Sequence, residues 1–371
     1  MTSKHSFAER LRSESQRSIS VYSFMALIFF FVILIPYIMA MTAPGNNAAG
    51  DYLRDLGVIG PLSHSERIMQ ITENYLGFGH IAGIVIFASA AIAAIEFVYL
   101  HNRSETDFFH GLPQSRSEIF RGRFIAGILV FAVPYLIMTV IAAVYGIVSG
   151  VPAESMAGIV FPAFGINIVY YSLHYALFVL AMMLTGKLFV GILGMLTLDF
   201  IYPMAILVLG VYFHVENLTN LFGPGGFLIN LSPTVASLTI SGRVYSGEEI
   251  SPGWGAPVWT AVLMTVLYAA LALFLYKKRP LESAGNAMAF KKSEPVIRIP
   301  LVILSGLSMG LIFGQGNGWM LFGILVGMVV THCIMEIIFN MDFKKLFSNK
   351  MQLAICMATG IFAFFASAGN F

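Results

Sequence analysis

Nine apolar runs, each close to the length of a bilayer crossing, restrict the fold of this chain more than any other feature. They cover residues 21–41, 78–100, 123–149, 160–185, 188–213, 257–276, 299–314, 319–340 and 351–368. A membrane-crossing helix needs roughly 20 mostly apolar residues. Lipid offers no partner to backbone N–H and C=O groups, so runs of this length are expected as helices. With 58% hydrophobic and 11% charged residues, a water-soluble domain would lack the polar surface to cover such a core. The expected fold class is all-α, a polytopic membrane helix bundle. The run 299–314 is the shortest, reaching about 24 Å against a hydrocarbon core of about 30 Å. A tilted crossing, an interfacial end and a re-entrant path all fit it.

The basic residues set an orientation. With the N-terminus in the cytosol and the spans alternating, eighteen of the 21 Lys and Arg residues fall in cytosolic segments. Only Arg54, Arg67 and Arg243 fall outside. That bias satisfies the positive-inside rule, and the opposite orientation would invert it. The expectation is a multi-pass protein of the cell membrane with a cytosolic N-terminus. The basic residues flank spans and face anionic lipid, so nucleic acid is not an expected partner. The first run is too long for a signal-peptide core, and about 20 polar residues precede it, so it is expected to be a retained span. Cys333 and Cys356 both lie inside apolar runs, which excludes a disulfide framework or a Cys-rich metal site.

Several segments between the runs carry patterns of their own. In residues 1–20, Phe7, Leu11 and Ile19 share a side with Ala8 and Ser15, which suits a helix lying on the inner leaflet. A disordered basic tail fits the same residues. The outer loop 42–77 is polar and reads as surface. The outer segment 214–256 is too apolar for a solvated loop. Two short helical pieces dipping into the outer leaflet, joined by the turn Gly223-Pro224-Gly225-Gly226, would bury it. Gly306, Gly310 and Gly314 form one helix face, and Gly323 and Gly327 another, as close helix packing requires.

The loop after the second run is the most informative. Ser104 with Asp107 has the pattern of a capping box, as does Ser115 with Glu118. The first box should open a helix of about two turns, weakened at Gly111 and stopped by Pro113. Its apolar residues are Phe108, Phe109 and Leu112. Nothing in the loop can bury two aromatic rings, so this helix either folds back on the protein or docks on a cytosolic partner. Residues 341–348 repeat the theme more weakly. Asp342 can cap there, and Phe343, Leu346 and Phe347 share a face that also suits an interfacial helix end.

At these residues the chain resembles the permeases of bacterial ABC exporters of the second, six-span type, especially those common in Gram-positive bacteria. Their aromatic-His-small-Leu-Pro motif stands here as Phe109-His110-Gly111-Leu112-Pro113. The stretch from Arg279 to Phe290, and His332 to Glu336 followed by Asp342 to Phe347, are also similar to segments of that family. The resemblance implies a six-span core over 21–276, an interfacial helix over 1–20, a coupling helix near 104–112 and a re-entrant outer segment at 214–256. The chain departs from that family pattern after the core: a cytosolic basic linker is expected at 277–298 and about three additional spans over 299–371. Phe108, Phe109, His110, Leu112, Pro113 and Arg116 would contact a cytosolic ABC ATPase subunit. Phe343, Leu346 and Phe347 are candidates for a second cytosolic contact. A second permease copy, or a homologous one, would complete a dimer in the lipid bilayer. Related chains often extend further, so a short or truncated member is expected.

The chain has no phosphate-cradling loop; Thr185-Gly186-Lys187-Leu188 lacks the upstream glycine and the hydroxyl. ATP and Mg would therefore be bound by the partner subunit, and this chain is expected to need no cofactor and to be no enzyme itself. No zinc-protease or serine-hydrolase motif occurs. Asp199, near the middle of the fifth run, is costly in lipid and should face the bundle interior, either lining a translocation path or serving as a hydrogen-bonded structural group. Glu96 should lie near the inner surface and reach water. His174 reads as structural, as do His332 and Glu336, which are four apart and can pair within a helix. The alternative function is a secondary active transporter of a small molecule or ion, which would need more ionisable groups along its path.

Overall fold

The computed structural model describes residues 19–42, 63–111, 114–213, 230–245, 255–314, 316–340 and 342–367. Most of the proposed N-terminal helix and the Gly223–Gly226 turn lie outside these residues. The described helices are α1 (Ile19–Thr42), α2 (His64–Leu76), α3 (Ala82–Phe97), α4 (Arg103–Gly111), α5 (Arg116–Val148) and α6 (Ala153–Leu184). They continue with α7 (Leu188–Phe213), α8 (Pro233–Tyr245), α9 (Gly255–Lys278), α10 (Glu294–Phe313), α11 (Asn317–Asn340) and α12 (Lys350–Ser367). Among the described residues, nine helices are long and apolar enough to cross a membrane. These are all of them except α2, α4 and α8. The chain is an all-α, multi-pass membrane protein.

Two boundaries differ from the sequence reading, each for a local reason. The short run at 299–314 starts earlier, at Glu294, with Pro295 in the first turn, where its missing N–H costs no helical bond. With the preceding 3₁₀ turn the candidate span is Lys291–Phe313, and Arg298 belongs to this helix rather than to the linker 277–298. The polar loop 42–77 contains α2, whose Ser63 forms a complete capping box with Glu66. The two Ser63 donors hold the Glu66 carboxyl below its usual range. Ile68, Ile71, Thr72 and Leu76 are buried along one side, a helical period that the polar composition conceals. In the segment 214–256, α8 supplies one helix among the described residues.

The described residues fall into two compact units. One draws on Met1–Ile92, Ser117–Tyr175 and Ala236–Thr265. Its interior is aromatic. Tyr171 stacks on Phe131 at 4.0 Å and on Tyr175 at 5.8 Å, and Tyr135 stacks on Phe164 at 5.2 Å. The Tyr171 hydroxyl donates to the Gly127 carbonyl at 2.8 Å, a buried polar tip finding its partner on backbone. In α1 a π-helical turn spans Phe30–Leu34, and the Val32 carbonyl lies 2.9 Å from the His80 Nε2. Tyr37 and Thr72 join α1 to α2 through their hydroxyls, 3.1 Å apart.

The other unit draws on Ala93–Arg116, Ala176–Val235 and Val266–Phe371. It holds α10–α12, packed with α7 around Val302, Leu307, Ile324, Met328 and Cys356. Tyr212 of α7 donates to the Leu307 carbonyl at 3.0 Å. The glycine faces work as expected between α10 and α11. A Cβ on Gly327 would sit 3.0 Å from the Gly306 Cα and 2.7 Å from the Met309 Cβ, so the backbones touch. Gly327→Ala should therefore lower stability by about 1–3 kcal/mol. Gly158→Ala, where nothing lies within 4 Å, should be neutral or slightly stabilising. Unfolding of both variants in detergent checks this; equal stabilities would contradict the close approach.

Candidate functional site

The site begins with the helix α4. Its cap is Asn102, two residues earlier than the Ser104–Asp107 pattern suggests. The Asn102 Oδ1 accepts from the Ser104 N–H at 3.2 Å and the Ser104 hydroxyl at 2.9 Å. Its amide donates to the Glu105 carboxylate at 3.2 Å. A helix this short needs tertiary support, and two residues supply it. Thr106 is buried and its hydroxyl donates to the Tyr99 carbonyl at 2.7 Å. Phe109 is 7% exposed, its ring 4.8 Å from that of Tyr99.

The two phenylalanines thus divide their roles, where the sequence treated both rings alike, as folded back on the protein or docked on a partner. Phe109 anchors α4, whereas Phe108 is 65% exposed. Leu112, Pro113 and the His110 side chain lie outside the described residues.

Beneath α4, three arginines fasten helix ends together. Arg279 directly follows α9 and is buried. Its Nη1 donates to the carbonyls of Met182 at 2.8 Å and Met183 at 3.0 Å, and its Nη2 to the Leu100 carbonyl at 2.9 Å. Those acceptors lie in the last turn of α6 and in the 3₁₀ turn Val98–His101 after α3. Carbonyls in such last turns lack helical donors and carry the negative end of the dipole. Burial pulls the Arg279 guanidinium down to about 10, with the nearby Tyr99 and Tyr276 acting the other way, so it stays charged at neutral pH. Arg116, opening α5, donates to the carbonyls of Lys277 at 3.1 Å and Arg279 at 2.9 Å. Arg103, opening α4, donates to the Ala284 carbonyl at 3.0 Å.

The segment after Arg279 lies along the turn between α6 and α7. Backbone bonds run from Gly186 N to Ala287 O (3.1 Å), from Gly285 N to Gly186 O (2.8 Å) and from Ala289 N to Leu184 O (2.8 Å). Gly186 is required there, since a Cβ would stand 2.2 Å from the Ser283 carbonyl oxygen. Ala287 and Met288 pack on Val190, with Leu184, Ile297, Ile338 and Phe339 around them.

The remaining candidates settle elsewhere. Asp199 is buried at the first turn of α8, where it accepts from the Thr234 N–H at 3.3 Å, the Thr234 hydroxyl and the Ser232 hydroxyl at 3.4 Å. An acidic group at a helix N-terminus is favourably placed. Glu96 is buried rather than open to water. The His174 Nδ1 lies 2.8 Å from the Tyr170 carbonyl within α6. Asp342 caps a 3₁₀ turn through the Lys344 N–H at 2.9 Å, leaving Phe343 and Phe347 exposed and Leu346 half-buried.

Glu336 anchors a separate buried polar group around Arg298. Its carboxylate pairs with the Arg298 Nη1 at 3.1 Å, both side chains being buried. It also accepts from Asn340 at 2.6 Å, Ser348 at 2.9 Å and Asn349 at 2.8 Å. His332 is a secondary neighbour, its Nε2 3.5 Å away. The sequence reading counted Arg298 and Arg279 as loop charges and so missed both contacts. For Arg298 a signal existed: an arginine heading one apolar run and a glutamate closing the next lie at the same end of an antiparallel pair.

Comparison with family models, with curated proteins and with solved structures gives no match.

Removing one partner of a buried ion pair leaves an uncompensated charge, at a cost of about 3–5 kcal/mol. Glu336→Ala should lose about that much stability and free the 342–349 connector to proteolysis, whereas Glu336→Gln, which keeps an acceptor, should lose less. Unfolding and limited proteolysis in detergent read both effects. Wild-type stability in Glu336→Ala would contradict the pairing.

Proposed function

We propose that this chain is the transmembrane permease subunit of an ABC transporter, exporting an apolar or amphipathic substrate. In this reading ATP, with Mg, is bound and hydrolysed by a separate cytosolic subunit. The observation that carries it is Phe108. A large apolar ring stands exposed on a short helix whose opposite side is pinned by Phe109, Thr106 and Arg103. A single aromatic side chain presented on a supported element is the usual form of an anchoring contact. Its surroundings are the basic helix ends that the positive-inside rule assigns to the cytosol. The family resemblance of Phe109–Pro113 points to the same partner.

Each of two permease chains, identical or homologous, would receive one ATPase subunit. Closure of the ATPase pair on ATP would push α4, and the bundle would change from inward to outward access. The connector bearing Phe343, Leu346 and Phe347 is held by Glu336 through Ser348 and Asn349. It offers a second surface to the same partner. The interior of the bundle is mostly apolar, which suits an apolar or amphipathic cargo.

Phe108→Ala should insert normally yet lower co-purification of the ATPase from native membranes in mild detergent by about 30-fold, the loss of a hot-spot side chain worth about 2 kcal/mol. Phe109→Ala should act differently, destabilising α4 itself. Undiminished co-purification in Phe108→Ala, at wild-type membrane levels, would overturn the docking role.

A further inference from the structure

The docking reading leaves open how a load on one exposed ring reaches several spans. We propose that Arg279 is a positioning residue that locks α4, the Leu281–Phe290 segment and the turn between α6 and α7 into one rigid plate. A push on Phe108 then moves the ends of α3, α6 and α9 together. This inference rests on the functional reading above for its purpose, though not for its geometry.

The links run without a break. Phe109 and Thr106 hold α4 against Tyr99, in the 3₁₀ turn that ends the second span. Arg103 holds the start of α4 to Ala284. Through Gly285 and Ala287 the same segment is bonded to Gly186, between α6 and α7. Arg279 closes the circuit by donating to Leu100, Met182 and Met183, while Arg116 holds its carbonyl and that of Lys277. The Tyr99 and Tyr276 hydroxyls, 2.8 Å apart, add a direct tie between the ends of the second span and α9.

The chemistry requires arginine. A planar guanidinium carries two terminal nitrogens at fixed separation, so one side chain can serve two helix ends at once. Here Nη1 takes α6 and Nη2 takes the end of the second span. A lysine ammonium is a single point donor on a flexible stem and cannot hold that spacing. The contact at Gly186 is backbone on backbone, with no flexible side chain to absorb movement; a Cβ there would also lie 2.4 Å from the Asn286 carbonyl oxygen. Stiffness of this kind is a consequence of dense, satisfied hydrogen bonding in a low-dielectric setting.

The test uses the full-length protein with Cys333 and Cys356 changed to alanine and spin labels at D107C and E282C, two exposed positions on different parts of the plate. Pulsed electron resonance in detergent should give one narrow distance distribution. Arg279→Met and Arg279→Lys should each broaden it about twofold or more. A control pair at V296C and M351C, on α10 and α12, should stay narrow and thereby separate loss of the plate from loss of the fold. Arg279→Met should retain the co-purifying ATPase within about twofold while losing the ATP-dependent change at a K278C/M351C pair, which reads movement of the α9 end against α12. If Arg279→Met does not insert, Gly186→Ala, which leaves the arginine in place, reads the same broadening. A distribution that stays narrow in the Arg279 variants and in Gly186→Ala would remove the plate and leave the docking reading standing. Full ATPase binding by Phe108→Ala would remove the docking reading and leave the plate.

Discussion

A charged guanidinium buried among helix-end carbonyls ties together the junction on which the helix bearing Phe108 rests. Arg279 satisfies acceptors that their own helices leave open, and a charged donor contributes about 1.5–3 kcal/mol per bond, roughly twice a neutral one. The helix dipoles add to this, because each acceptor lies at a negative end. Without the arginine, the carbonyls of Leu100, Met182 and Met183 would need water inside a packed junction. The short helix α4 rests on the same junction through Tyr99, Phe109 and Arg103, so its support comes from tertiary contacts rather than from helix propensity. Two turns of helix would not persist alone in water.

A second arginine does different work. Arg298 is neutralised by Glu336, whose remaining lone pairs collect donors from Asn340, Ser348 and Asn349. Ser348 and Asn349 belong to the connector between α11 and α12, so the pair fixes that connector as well as α10 to α11. Asp199 follows a third pattern: a carboxylate in an apolar helix finds its donors at the start of α8. Asp199 and Glu336 thus draw donors from segments outside the apolar runs, Ser232 and Thr234 for the one and Ser348 and Asn349 for the other, whereas Arg279 finds its acceptors at the ends of the runs 78–100 and 160–185.

This explains what was legible in the sequence. The spans were, because lipid leaves helix as the one economical conformation for a long apolar run. So were the glycine faces of α10 and α11, since spacing by four fixes a face and a missing Cβ permits contact. The helix α4 was legible, and so was its aromatic pair. The division of labour between Phe108 and Phe109 was not, because only the position of Tyr99 decides which ring is covered. Asn102 was passed over because Ser104–Asp107 offered a competing cap pattern on the same stretch. Arg279 and Arg298 were read as loop charges because the positive-inside rule counts charges and is blind to where a side chain points. In α2 the buried face of Ile68, Ile71, Thr72 and Leu76 was diluted by polar neighbours, so composition overruled period.

The most direct test of the account is to ask what touches Phe108 in the living cell. A photo-crosslinking phenylalanine analogue at position 108, activated in intact cells and followed by mass spectrometry of the adduct, reports the neighbour without relying on solubilisation. The expected result is a covalent product with a cytosolic polypeptide that carries a phosphate-binding loop of the Gly-x-x-x-x-Gly-Lys-Ser/Thr type. Adducts confined to lipid, or to other residues of this chain, would contradict it.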